Sequence, residues 1–254
     1  MEEYIHYYNE NRSALVLADC FDFLKKINEN SVDMIFADPP YFLSNGGVTN
    51  SGGKFVSVNK GEWDKIGSLE EKHTFNREWI KLSKRVLKPN GTIWISGSFH
   101  NIYSVGMALE QENFKILNNI TWSKNNPAPN LSCRYFVHST ETIIWAKKNI
   151  KSNHYFAYEE MKKMNKNKQM KDIWTGPKTP YREKIHGKHP TQKPEYLLEK
   201  IILSSTKKDD LILDPFLGSG TTAVVSKRLK RRFIGIDKES EYLDIALKRI
   251  NSLD

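Results

Sequence analysis

The chain has 254 residues, 39% of them apolar, with 39 Lys and Arg against 30 Asp and Glu and a net charge of +9. That length accommodates one large α/β domain with an insertion, or two small domains. No apolar run approaches the ~20 residues of a membrane span, Met1-Glu2-Glu3-Tyr4 carries no apolar signal region, and Cys20 and Cys133 offer neither a metal-ligand spacing nor a disulfide framework, so a cytoplasmic protein without metal or membrane contact is expected.

In chain order, Ala14-Leu15-Val16-Leu17-Ala18 reads as a short buried strand ending at Asp19. Phe21 to Ile27 forms a brief helix with Phe23, Leu24 and Ile27 on one side. Val32 to Ala37 is the next strand, stopped by the two prolines of Asp38-Pro39-Pro40-Tyr41. Residues 42–62 hold five glycines with several Ser and Asn and read as a long mobile loop. Within it, Ser51-Gly52-Gly53-Lys54 lacks the spacing of a phosphate-binding loop. Phe75, Trp79, Leu82 and Val86 fall at helical spacing, Pro89-Asn90-Gly91 turns the chain, and Thr92 to Ser96 is a strand. Tyr103 to Glu110 looks helical. Phe114 to Trp122 and Thr140 to Ala146 look like strands, separated by the loop-like Asn125-Asn126-Pro127-Ala128-Pro129-Asn130.

From 147 to 190 the periodicity weakens and charge takes over. Residues 147–193 hold 13 Lys and Arg against 4 Asp and Glu, whereas the rest of the chain is balanced at 26 of each. Tyr155, Phe156, Tyr158, Trp174 and Tyr181 interleave with the lysines. A surplus confined to one segment points to a polyanion; a solvated basic loop is the plainer reading. His186 and His189 lie three apart with no further ligands nearby, so loop or phosphate contacts are expected rather than a metal.

Pro194 opens a helix with Leu197, Leu198, Ile201 and Ile202 on its apolar side. Leu211 to Leu213 is a strand, Thr221 to Leu229 a helix, and Phe233 to Ile236 a strand ending at Asp237. Ser240 caps a last helix whose Leu243, Ala246, Leu247 and Ile250 form one stripe. Strands alternating with helices imply a mostly parallel sheet covered on both faces, with its ligand beyond the carboxyl ends of the strands. Asp19, Asp38, Asp214 and Asp237 all fall at such ends and would line a common rim.

Two of these loops carry chemistry. The exocyclic amine of a nucleobase is a poor nucleophile, because its lone pair is delocalised into the ring. The Asp38 carboxylate and the Pro39 carbonyl can accept its two hydrogens, Pro39 and Pro40 fix the backbone, and Tyr41 offers a stacking face for an extrahelical base. In Asp214-Pro215-Phe216-Leu217-Gly218-Ser219-Gly220-Thr221-Thr222, the glycines let the backbone approach a ligand. Asp237, 19 residues after Gly218, can accept from ribose hydroxyls, and Asp19 from an adenine amine. Gly218 to Ala223 also fits the G-x-G-x-x-A dinucleotide pattern, so an NAD enzyme is an alternative; it leaves Asp38-Pro39-Pro40-Tyr41 unused. A non-catalytic nucleic-acid-binding module would explain the basic segment but not the acid-tipped strands.

These motifs resemble those of the DNA amino-methyltransferases that use S-adenosyl-L-methionine. Asp38-Pro39-Pro40-Tyr41 looks like the catalytic motif of that family and Asp214 to Thr222 like its cofactor motif. His189-Pro190-Thr191-Gln192-Lys193-Pro194 is similar to the segment before the latter, and catalytic motif first, basic segment next and cofactor motif last is the β-group order. The stretches Tyr41 to Gly47 and Asn126 to Tyr135 resemble the DpnA-type methyltransferases of GATC restriction–modification systems.

The resemblance implies a circularly permuted, Rossmann-like sheet of about seven strands with helices on both faces. It divides the chain into a catalytic half (1–124), a target-recognition insertion (125–188) and a cofactor half (189–254). Asp38, Pro39, Pro40 and Tyr41 would be catalytic. Asp19, Cys20, Asp38, Thr191, Lys193, Asp214, Phe216, Gly218, Ser219, Gly220, Thr221 and Asp237 would surround the cofactor, with Thr191 and Lys193 near its methionine part. Lys124, Asn126, Arg134, Lys162, Lys163, Lys166, Lys168, Lys171, Trp174, Arg182 and Lys188 are the candidate DNA contacts. Asp rather than Ser at position 38 leans towards adenine N6 over cytosine N4. GATC is the implied target, single-stranded DNA an implied substrate beside duplex, and a homodimer the implied assembly.

Overall fold

The computed structural model describes residues 5–10, 12–42, 48–51, 54–57, 68–187 and 189–253. The first half holds β1 (Ile5–Glu10), β2 (Ser13–Leu17), α1 (Cys20–Lys26), β3 (Val32–Ala37), β4 (Val48–Ser51), β5 (Lys54–Ser57), α2 (Leu69–Val86), β6 (Leu87–Gly97), α3 (Ile102–Gln111) and β7 (Lys115–Lys124). The second holds β8 (Thr140–Lys147), α4 (Tyr158–Met164), β9 (Ile173–Gly176), a 3-10 turn (Tyr181–Glu183), α5 (Glu195–Ser205), β10 (Leu211–Asp214), α6 (Thr221–Arg228), β11 (Arg232–Asp237) and α7 (Ser240–Asn251).

Nine of these strands form one sheet in the order β1-β2-β11-β10-β3-β6-β8-β7-β9, while β4 and β5 pair only with each other. The contiguous block β2, β11, β10, β3 and β6 is parallel throughout. The central residues of its strands are mostly apolar because both faces are covered, although Asp33 interrupts β3 and Lys88 to Gly91 open β6 with polar and turn residues. Ile35 of β3 and Ile93 and Ile95 of β6 face a layer built from α1, α2 and α3. Their neighbours Met34, Phe36 and Trp94 face α5 and the Val225 side of α6. The period-2 alternation of a strand places successive side chains on opposite layers. A third cluster seats α7 and the rest of α6 on Leu15 and Phe233.

Several expectations change. The main sheet has nine strands, not about seven, because β1 and β9 extend its two edges. β1 is mostly polar, and β9 is only four residues long and buries alternate ones, so neither leaves a strong apolar signature. The loop expected over 42–62 contains the β4–β5 hairpin; residues 43–47, 52–53 and 58–67 lie outside the described residues. α2 starts at Leu69, where Ser68 and Glu71 form a reciprocal capping box. Ser240 is the first residue of α7 rather than its cap, and Pro194 caps α5 rather than opening it. The stretch 125–188 contributes β8 and β9 to the common sheet and carries α4 behind it.

Strand direction decides which loops share a rim. β6 is parallel to β3, so Gly97 ends beside Asp38. β8 runs antiparallel to β6, so Thr140 starts at that rim and Lys147 leaves at the opposite end. β7 is antiparallel to β8 and β9 parallel to β7, so Lys124 and Gly176 both end at the rim. Residues 125–139, 177–187 and 189–193 therefore emerge around Asp38, while 148–172 lie at the far end, roughly 23 Å of strand away. There the Ala157 N–H donates to the Ser204 carbonyl at the far end of α5, and Lys207 lies over the Tyr155 ring.

Candidate active site

Because β2, β11, β10 and β3 are neighbours and parallel, Asp19, Asp237, Asp214 and Asp38 come to one edge side by side. One cleft is lined by Pro39, Pro40 and Tyr41 and by Asp19, Cys20, Asp38, Thr191, Lys193, Asp214, Phe216, Gly218, Ser219, Thr221 and Asp237. Gly220 stands behind it at φ +79, where a Cβ would sit 2.5 Å from the Ala246 Cβ, so α7 packs directly against the turn. His189, Phe75 and Tyr242 complete the wall, His189 edge-on to Tyr242 at 4.3 Å.

The acids divide by role. Asp214 is buried, and both its oxygens serve the turn: Oδ1 accepts from the Phe216 N–H at 3.0 Å and Oδ2 from the Thr222 hydroxyl at 2.6 Å. At 2% exposure it shapes the loop from within, whereas Asp38 and Asp237 are only partly buried, and burial pushes the Asp214 pKa up to about 7. Asp237 Oδ2 accepts from the Gly218 N–H at 2.8 Å and Oδ1 from the Glu239 N–H at 3.0 Å, tying β11 to the glycine turn. Burial raises it to about 6. Asp19 caps α1 by accepting from the Phe21 N–H at 2.8 Å. Burial, aided by Asp19, drives the Cys20 thiol upward and keeps it protonated. Phe216 meets Trp79 edge-to-face at 5.4 Å, fixing an aromatic wall.

Asp38 stands in a different setting. Its Oδ2 accepts from Lys193 Nζ at 2.6 Å, and its Oδ1 accepts from the Tyr41 hydroxyl at 2.7 Å. Lys193 also reaches Glu141 at 3.3 Å, and Glu141 pairs with Lys124 at 2.6 Å. Burial alone would depress Lys193, but the Asp38 and Glu141 carboxylates outweigh it and hold the ammonium well above its usual pKa. Glu141 is likewise pulled below its usual value by Lys193 and Lys124 despite burial. Burial and the adjacent Asp38 and Glu141 carboxylates keep the Tyr41 phenol protonated.

Lys193 thus contacts the carboxylate of the catalytic motif, beyond the cofactor role expected of it. Lys124, expected on DNA, is turned inward to Glu141 and over the Trp122 ring. Trp174, also expected on DNA, is 6% exposed and packs between Trp94 and Lys200. Lys162, Lys163, Lys166, Lys168 and Lys171 belong to the far-end segment, away from the cleft. Asn126, Arg134 and Arg182 are exposed on the rim segments, and Lys188 lies outside the described residues.

Sequence reading missed Glu141 and Arg249. Glu141 is one charge in a strand, and nothing in its spacing marks it. Arg249 is 4% exposed; it donates to the Ser219 carbonyl at 2.8 Å, the Thr221 hydroxyl at 3.0 Å and Glu195 at 2.9 Å. It lies one residue before Ile250 on the apolar stripe, the single hint a sequence offers. Among the described residues no group of His, Cys, Asp and Glu is arranged to hold a metal, and no helix is long and apolar enough to cross a membrane.

The residues fit S-adenosylmethionine. Acceptors at Asp19 and Asp237 match ribose and adenine donors, Phe216 offers an apolar face, and an acidic rim suits a ligand carrying a sulfonium and an ammonium.

A family model described as DNA methylase matches residues 32–248. A type II methyltransferase, M2.DpnII of Streptococcus pneumoniae, is 71% identical over 97% of this chain and 92% of its own. M2.LlaDCHI of Lactococcus lactis subsp. cremoris is 71% identical over 96% and 91%, and M2.MboI of Moraxella bovis 57% over 92% and 86%. Among solved structures, an M1.HpyAVI–SAM complex superposes with a TM-score of 0.69 at 30% identity, covering 93% of this chain and 98% of that one. The cytosine-N4-specific PvuII DNA methyltransferase shares the fold at a TM-score of 0.73 and 19% identity, covering 95% and 87%.

Proposed function

The chain belongs to the DNA methylase family, and from that premise we propose that it methylates adenine N6 at GATC in DNA within a type II restriction–modification system. It is a DNA methyltransferase, and its methyl donor is S-adenosylmethionine. The observation that carries the chemistry of amine methylation is Asp38 held from two sides, beside the glycine turn, in one cleft.

When bound, S-adenosylmethionine supplies a methyl group activated by its positive sulfur. The protein must then present a weakly nucleophilic amine in line with that methyl. Asp38 spends one lone pair per oxygen on Lys193 and Tyr41, leaving acceptor capacity for an amine hydrogen. The Pro39 carbonyl is the second acceptor. Two acceptors favour a more tetrahedral nitrogen with a more available lone pair. A carboxylate that accepts from the amine is also the group to which the proton released on methylation can pass. Tyr41 is 8% exposed with Lys193 Nζ 5.3 Å from its ring centroid, so in this state it acts through its hydroxyl on Asp38 rather than as the open stacking face its motif implies. Asp237 and Asp19 take the cofactor's ribose and adenine donors, and Arg249 keeps the glycine turn in place beneath them. Asp at position 38, together with the DpnII-type relatives, supports adenine over cytosine and GATC as the site.

DNA would meet the rim segments 125–139 and 177–188. The proposal puts the protein in the cytoplasm as a homodimer that accepts duplex and single-stranded DNA, as the resemblance implies. Transfer of labelled methyl to oligonucleotides carrying GATC or a scrambled site, single- and double-stranded, tests it directly. Label on adenine N6 in GATC alone is expected. Label on cytosine N4 would replace the base assignment, and label independent of sequence would remove the site assignment.

A further inference from the structure

We propose that Phe136 is a wedge that enters the DNA stack as the target base leaves it. The inference rests on the reading of this protein as a methyltransferase acting on an extrahelical base. A base swung out of a duplex leaves a gap, and unstacking is costly unless an apolar group fills the step.

The loop 125–139 is mounted on the catalytic centre at both ends. Lys124, just before it, pairs at 2.6 Å with Glu141, the second residue of β8, and Glu141 lies 3.3 Å from Lys193. The Lys124 N–H donates to the Ser139 carbonyl at 2.8 Å and closes the loop's base. The loop is folded on itself: Asn130 accepts from the Ser132 N–H at 3.0 Å and donates to the Tyr135 carbonyl at 2.6 Å. His138 stacks on Phe99 at 4.8 Å, forming a base under the turn. From this support Phe136 projects with 96% of its surface exposed.

An exposed aromatic ring is ordinary by itself. This one is five residues from Glu141, so the chain holds it within about 18 Å of that residue. Arg134, also exposed, stands two residues away, suited to a flanking phosphate. An uncharged flat ring beside a cation, on a loop that leaves the sheet at the same rim as the catalytic motif, matches the gap in a base stack better than it matches a phosphate.

The test compares the full-length protein with Phe136→Ala and Phe136→Trp on two duplexes. In one, the target adenine is paired; in the other it faces an abasic position, so no base pair has to be broken and the space opposite is already open. Phe136→Ala should lower kcat/KM by about tenfold on the paired duplex and by less than about twofold on the abasic one, with Trp close to the native residue. An unchanged melting temperature excludes misfolding. Equal losses on both duplexes, or no loss on the paired one, would overturn the wedge. Native protein that methylates adenine in neither duplex would sink the preceding proposal instead. Binding to a duplex with 2-aminopurine at the target position then decides the wedge without turnover. Brightening reduced by Phe136→Ala supports it, and brightening unchanged rejects it.

Discussion

Asp38 shows how a side chain's neighbours specify its task. Lys193 and Tyr41 fix both its oxygens, so its geometry is set before any base arrives. Replacing Asp38 with Ala should lower turnover by at least ~10²-fold while cofactor affinity changes little, since the acceptor is needed for the amine and not for the donor molecule. Calorimetry and single-turnover transfer, measured together, separate the two. Lys193→Met should behave similarly, reducing kcat more than it weakens cofactor binding; a loss confined to cofactor affinity would return Lys193 to the role its motif implied. Asp237 supplies a pH dependence. Its raised pKa of about 6 means that it carries a proton below that pH, and the protonated form is the poorer acceptor. Cofactor affinity should therefore fall as pH drops through about 6 and level off above it. Asp237→Asn should bind weakly with a flat profile, and a native profile that rises towards acid would contradict the role.

At the level of elements, strand direction separates residues that composition groups together. The basic surplus lies within 147–193, but β8 carries the chain away from the rim and β9 brings it back. Residues 148–172 are thereby placed behind the sheet, with α4 against α5. Charge reversal of Lys163, Lys166 and Lys168 should leave the salt dependence of DNA binding unchanged. Reversal of Arg134 and Arg182 should reduce its slope by about one unit for each phosphate that is no longer neutralised. Filter binding from low to moderate salt distinguishes these outcomes, and a slope reduced by the lysine changes would move the DNA path to the far end. The same logic applies at the glycine turn, whose position depends on Asp237 from β11, Arg249 from α7 and Thr222 from α6.

For the whole molecule, the cleft joins elements from both ends of the chain, so a ligand seated there stabilises the native state as a unit. S-adenosylmethionine at a hundredfold excess over its Kd adds about 2.7 kcal/mol, which for a chain of this size should raise the melting temperature by roughly 5–10 °C. NAD should cause no such shift. The dinucleotide reading of Gly218 to Ala223 would require the reverse result. That reading arises because any tight strand-to-helix turn against a ligand favours glycine, whichever nucleoside is bound.

Much of this protein is legible in its residues taken in order. The parallel block buries both faces of each strand, so β2, β3, β10, β11 and the Ile93–Ile95 part of β6 appear as short, mostly apolar runs, and the acids at or just after the ends of β2, β3, β10 and β11 mark the rim. Asp38-Pro39-Pro40-Tyr41 and the glycine turn carry the chemistry locally, within a few residues each. Tertiary structure alone decided what crosses between them. Lys193 is 155 residues from Asp38, and Glu141 is 100 from Tyr41, so no local spacing relates either pair. Trp174 and Lys124 are residue types often found on DNA, yet packing turns both inward. Side-chain chemistry and periodicity are properties of a segment, whereas ion pairing, burial and the end of the sheet at which a loop emerges depend on which distant strands are neighbours.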